Sequence, residues 1–270
     1  MQSSNIKFRL VVLSFLQFAI WGAYLTSMGR YLGGYGLGTH IGWFYSVQGV
    51  VSIFMPAIMG VIADRWVPAQ RLLAFCHAVA AVFMAITGYI GMREGYNVAF
   101  GDIFGTYTVA VAFYMPTLAL SNSVSYTALE SAGLDTVKAF PPIRVFGTIG
   151  FIFSMLLVDY TGFQDSYNQF FASAAWGIVL AFYSLSLPKC PVNRDAGGNR
   201  RVVYQSYVFL LLFGKLGVRK NTEIVLHFAH RYVERIIKYT HFEHYLTVCE
   251  FLRYSYSGKI RRYYTVVVVV

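Results

Sequence analysis

Charged residues cut the first 190 positions into long uncharged runs. Residues 10–29, 41–63, 72–92, 103–129 and 166–188 hold no Asp, Glu, Lys or Arg. Each run is long enough to form one apolar helix across a bilayer, which takes about 20 residues. The fifth run in chain order is different. The uncharged stretch 145–158 has 14 residues, about 21 Å of helix against a hydrocarbon core of roughly 30 Å. Extended back to residue 139 it reaches 20 residues, but then it contains Arg144. The pattern predicts six transmembrane helices with a guanidinium inside the fifth. Such a charge costs at least about 2.5 kcal/mol on insertion scales and marks a functional position by default.

The connections are short, so neighbouring helices should run antiparallel. Lys7, Arg9, Arg65, Arg71, Lys138, Lys189, Arg194, Arg200 and Arg201 fall on one side of this topology, and Arg30 and Arg93 on the other. The positive-inside rule places the N-terminus and the end of the sixth helix in the cytoplasm. The N-terminal run is too long and lacks the small-residue site of a cleaved signal, so it reads as a spanning helix.

Beyond residue 190 the pattern changes. Residues 191–201 form a polar linker. Residues 202–270 hold ten Lys/Arg, four Glu and four His, and their longest uncharged run, 202–214, has 13 residues. That is too short to span comfortably. A basic, non-spanning, aromatic tail is expected, amphipathic or disordered. It includes a stretch, 223–252, suited to the membrane surface. His227/His230 and His241/His244 are i, i+3 pairs in a broadly basic segment and are not read as a metal site. The five closing valines, 266–270, have no physical account.

Composition agrees. The chain is 57% apolar and 13% charged, against about 25% charged in soluble domains. The net charge of +10 lies between apolar runs, so it speaks of membrane orientation and not of nucleic acid. Cys76, Cys190 and Cys249 are too scattered for a disulfide framework or a metal site. No cofactor is implied.

Arg144, Thr148 and Phe151 (i, i+4, i+7) share one helix face. Arginine, hydroxyl and aromatic ring in a stripe suit a flat, polar, ring-bearing ligand, with donors for its edge and a ring to stack on. The plain alternatives are a snorkelling arginine and ordinary packing. Pro141 and Pro142 read as a helix start. Gly147 and Gly150 leave room for a neighbouring backbone or a ligand. In the fourth helix Tyr114, Thr117, Ser121, Asn122 and Ser125 must find partners in lipid. Interhelical bonding and cavity lining are both open for them. Gln17, the only amide of the first span, shares a face with Trp21 and is a cavity-lining candidate. His77 reads as a packing histidine. Pro56 and Pro116 are expected to kink the second and fourth helices.

Gly60, Asp64, Arg65 and Arg71 lie between the second and third spans. They resemble the cytoplasmic loop motif of the major facilitator superfamily. Ser14-Phe-Leu-Gln-Phe-Ala-Ile-Trp-Gly22, Phe54-Met-Pro-Ala57, Tyr114-Met-Pro-Thr-Leu118 and Phe140-Pro-Pro-Ile-Arg-Val-Phe-Gly-Thr-Ile-Gly-Phe151 resemble the bacterial nucleoside permeases of that superfamily, over residues 5–190. The resemblance implies an all-α membrane protein, its residues 1–190 equivalent to the N-terminal half of a twelve-helix transporter. It implies a multi-pass protein of the bacterial cytoplasmic (inner) membrane that takes up nucleosides with protons, and it is not an enzyme. Arg144, Thr148 and Phe151 match positions that contact the nucleoside. Gly60, Asp64, Arg65 and Arg71 match a conformational latch. The tail is expected to be unrelated or out-of-frame sequence after a half-size or truncated permease. Homodimerisation or a separately encoded second half would then complete the site. The rival reading is a non-transporting binding or scaffold protein with its tail on anionic lipid, or an inactive fragment. An intramembrane enzyme ranks last, because the spans offer no paired nucleophile and base.

Overall fold

The computed structural model of the chain describes residues 3–190. The linker and the tail, with its four histidines and its valines, lie outside the described residues. Seven α-helices follow one another: α1 (Ser3–Gly22), α2 (Met28–Gly34), α3 (Ile41–Arg65), α4 (Ala69–Glu94), α5 (Phe100–Ser131), α6 (Thr136–Tyr160) and α7 (Asn168–Ser186). Five of them, α3 to α7, are long and apolar enough to cross a membrane. The long apolar runs became helices whose ends lie within a few residues of the charges that bracket them.

The run 10–29, expected as one helix, is divided. α1 ends at Gly22, residues 23–27 form a turn, and α2 follows. Gly22, Thr26, Ser27 and Gly29 are weak helix formers. Ser27 is also engaged by another helix, its hydroxyl donating to Gln169 Oε1 at the head of α7 (2.8 Å). The Gly-rich segment 32–38 lies partly in α2.

The turn that launches α6 is closed at both ends. Gly133 adopts a left-handed φ of 68°. Its N–H donates to Glu130 O (2.9 Å) and that of Leu134 donates to Leu129 O (3.0 Å), a Schellman closure of α5. Two residues later Asp135 Oδ1 accepts the Val137 N–H (3.0 Å) as N-cap. α6 therefore starts at Thr136, and the reading of Pro141-Pro142 as its first turn is corrected. The prolines lie inside the helix. Having no N–H, they leave the carbonyls of Val137 and Lys138 without their helical partners. The cap at Asp135 set the start, and it outweighed the prolines.

α1 is the central helix. Every residue from Leu16 to Tyr24 is buried, as expected of a helix covered by protein on all sides. It packs most extensively on α6, then α7, while α4 packs on α5 and α7, and α3 packs mainly on α5. α3 and α6 are the least buried of the apolar helices. The chain start and the end of α7 lie together. Tyr183 Oη donates to Arg9 O (2.9 Å), and Arg9 in turn donates to Ser186 O. At the opposite end Arg30 pairs with Asp165 and donates to Gln164 Oε1 (3.1 Å).

Glycines set the α1–α6 separation. A Cβ built on Gly22 would run into the Phe151 backbone, its carbonyl carbon at 3.0 Å. One on Gly150 would run into the Phe15 backbone, its carbonyl carbon at 2.9 Å. Backbone cannot yield as a flexible side chain can. Gly22→Ala and Gly150→Ala should each lower the stability of the purified chain by about 1–3 kcal/mol, read as a fall in thermal midpoint. Gly33→Ala, with nothing within 4 Å of the added carbon, should leave it unchanged.

Candidate functional site

Arg144, Thr148 and Phe151 flank the buried stripe of α6, which is Ile143, Gly147, Gly150, Ser154 and Val158. Arg144 is half-buried and Thr148 is exposed. The guanidinium carbon of Arg144 lies over the Phe18 ring of α1, 3.9 Å from its centroid. The hydroxyls of Tyr114 and Tyr126 on α5 are within electrostatic reach of it. Neither ion pair seen among the described residues, Arg30–Asp165 or Lys138–Asp135, involves it. Phe151 meets Trp21 edge-on, with ring centroids 6.5 Å apart. Trp21 also contacts Phe18 (6.4 Å) and Tyr114 (6.2 Å). Helices α1, α5 and α6 thus combine their rings into one aromatic wall, with a cation at its edge.

Of the two uses open to Gly147 and Gly150, the structure shows packing. Gly150 receives the α1 backbone at Phe15. A Cβ on Gly147 would stand 2.7 Å from Phe18 Cδ2 and 2.8 Å from Arg144 Nη1.

Gln17 occupies a different place from the one expected. It is fully buried, and its amide is committed on both sides. Its Nε2 donates to Thr117 Oγ1 (2.8 Å), and its Oε1 faces His77 Nε2 (3.0 Å). Its backbone carbonyl accepts the Tyr114 hydroxyl (2.7 Å). Thr117 donates its own proton to Tyr114 O (2.5 Å), so toward Gln17 it acts as acceptor. The NH2 of Gln17 therefore faces Thr117 and its oxygen faces His77. An oxygen can only accept, so His77 carries its proton on Nε2. The other ring nitrogen, Nδ1, is buried without a hydrogen-bond partner. Gln17 is the hub that ties α1 to α4 and α5, and His77 is the packing histidine expected.

On α5 the polar stripe divides its work. Tyr114 and Thr117 bond across helices. Ser121 and Ser125 donate back to Leu118 O (3.0 Å) and Ser121 O (2.8 Å) of their own helix. Asn122 is half-buried beside them. Sequence reasoning overlooked Gln48, the only amide of α3, which accepts from Trp21 Nε1 (3.0 Å) and donates to Tyr107 Oη (2.8 Å). The criterion that singled out Gln17 would have found it. Phe18 was also missed.

Gly60, Asp64 and Arg65 occupy the last turns of α3, and Arg71 the first turn of α4, so all four sit at one end of the bundle. The link is tight: the N–H groups of Trp66 and Val67 both donate to Ile62 O, each at 3.0 Å.

The family model of the nucleoside H+ symporters matches residues 4–242. The chain belongs to this family. The match runs past the 5–190 stretch that carries the quoted motifs and into the tail, so family likeness does not stop at the linker. Among relatives, the nucleoside permease NupG of Escherichia coli (strain K12) is 36% identical over 226 residues, which are 83% of this chain and 51% of the relative. The xanthosine permease of the same organism is 42% identical over 190 residues, 70% of this chain and 44% of the relative. A crystal structure of nucleoside transporter NupG superimposes with a TM-score of 0.71 at 35% identity, covering 84% of this chain and 54% of that one. The chain spans about half the length of the curated relatives it matches. As a member of this family it is a multi-pass membrane protein, and these relatives are transporters, not enzymes.

Thr117→Val keeps shape but leaves the Gln17 amide without its acceptor in a buried site. It should lower the thermal stability of the purified protein by about 1–2 kcal/mol. Thr148→Val, at an exposed position, should change it by less than about 0.5 kcal/mol.

Proposed function

We propose that this chain supplies half of the substrate site of a proton-coupled nucleoside permease of the bacterial inner membrane. The carrying observation is Arg144: a cation within an apolar helix, half-buried, with an aromatic wall beside it and neither observed ion pair engaging it. A nucleoside offers what such a group lacks, acceptor atoms on a flat ring. Arg144 donates to the nucleoside, Thr148 assists from the next turn, and Phe151 stacks on the base. Gln17 acts from behind, holding α1, α4 and α5 in register, and Asn122 adds an amide on the α5 side. Gly60, Asp64, Arg65 and Arg71 act as the conformational latch at the cytoplasmic end, which places the N-terminus there too.

α1 forms the sixth crossing. Its hydropathy matters little for insertion beside its neighbours, because protein covers it where lipid would otherwise do so. Alternating access works by rocking two repeats about a midplane site. The other half of the site therefore comes from a second six-helix unit, a second copy of this chain or a separately encoded partner.

Uptake of radiolabelled uridine in cells lacking their own permeases tests this reading. Expression of the chain, alone or with a second half, should give uptake that a protonophore abolishes. Arg144→Gln keeps a polar hydrogen-bonding group but shortens the side chain and removes the charge. It should weaken uridine binding by about 10- to 100-fold, the scale of charge-assisted hydrogen bonds. No uptake in either setting, where a full-length relative restores it, would leave an inactive fragment.

A further inference from the structure

The seat beneath Arg144 is built by Phe18 of α1 and Gly147 of α6. Phe18 belongs to α1 and is buried, 6% exposed. Its ring lies 3.9 Å from the guanidinium carbon. Gly147 leaves the space for both partners, since a Cβ there would stand within 2.8 Å of each. The platform is itself braced. Phe18 packs against Trp21, Trp21 donates to Gln48, and Gln48 donates to Tyr107. A cation over a ring face is attracted by the ring quadrupole, more strongly where water is excluded. Guanidinium N–H donors all lie in the guanidinium plane. A ring below that plane therefore holds the group without consuming a donor.

We propose that Phe18 is a positioning residue for nucleoside recognition: it holds the Arg144 guanidinium by one face, in the seat left open by Gly147, so that the N–H edge stays available to the ligand. This rests on the assignment of Arg144 as a nucleoside ligand. A long arginine side chain in lipid otherwise escapes toward the headgroups. The seat keeps it at depth and in one orientation, which lowers the ordering cost of binding.

Fluorination of Phe18 isolates the effect. Site-specific replacement by mono-, di- and trifluorophenylalanine nearly preserves shape while weakening the quadrupole in steps. In the purified full chain, uridine affinity should fall with each step, reaching about fivefold weaker at the trifluoro stage. A merely structural ring would not give this graded loss, and unchanged or tighter binding overturns the proposal. A second readout needs no ligand. Phenylglyoxal modification at Arg144, followed by peptide mass spectrometry, should accelerate along the series while modification at Arg65 stays constant. An Arg144 rate that ignores fluorination overturns the seat. Failure of the unsubstituted chain to bind uridine even with a second half present, or full binding by Arg144→Gln in that setting, would instead overturn the ligand assignment, and the labelling rates would still decide the seat.

Discussion

The contact between the backbones of α1 and α6 is the constraint on which the site depends. Gly22 lies against the Phe151 backbone, and Gly150 against the Phe15 backbone. Two helices meet this closely only where one of them lacks a Cβ at the point of contact. The two contacts are reciprocal, with a glycine from each helix, and on α6 they fall at adjacent residues, 150 and 151, one turn beyond Gly147. Pinning α6 there restrains its rotation about its axis. The rotation puts Ile143 and Gly147 inward, and leaves Arg144 and Phe151 at the edge of the α1 aromatic wall. A looser pair would have room for a Cβ at Gly147, and the guanidinium would have no reason to lie over Phe18.

Low dielectric makes the polar interior an all-or-none matter. An amide in hydrocarbon costs several kcal/mol if its groups are unpaired. Gln17 meets this by spending its NH2 on Thr117, its side-chain oxygen on His77, and its main-chain carbonyl on Tyr114 as well. Gln48 meets it through Trp21 and Tyr107. Each amide thereby joins helices that hydrophobic packing alone would leave free to slide. In a membrane that packing gives little register, because lipid tails are as apolar as leucine. The hydroxyls of Ser121 and Ser125, bonded within α5, need no neighbour and impose no such order.

The helices were legible because charge is costly in lipid. Arg65 and Arg71 bracket the α3–α4 link, and Asp159 and Asp165 the α6–α7 link, each within a few residues of the helix ends found. Two boundaries were not legible, for local reasons. The α6 start was assigned to Pro141, since proline favours a first turn. A capping aspartate six residues earlier, with a left-handed glycine before it, decided otherwise. The break after Gly22 lies in an uncharged run, so no charge marked it. At the site, Arg144 stood out by its cost alone, whereas Phe18 could not. One phenylalanine among 23 acquires a role only when a particular cation lands on it, and that pairing spans two helices far apart in sequence. Gln17 was noticed for its polarity, but burial decided whether it faces a cavity or a partner.

Arg144 then has a defined balance. Holding a guanidinium at depth costs about 2.5–3.5 kcal/mol on insertion scales. A cation–π contact away from water returns about 0.5–2 kcal/mol. What remains is a net cost that the observed ion pairs do nothing to lower. Selection for stability alone would replace such an arginine with leucine. Its presence is intelligible if the missing stabilisation arrives with a ligand rich in acceptors. Thr148 beside it is exposed, as is much of α3 and α6, so the proposed ligand would meet Arg144 at an open edge of the bundle.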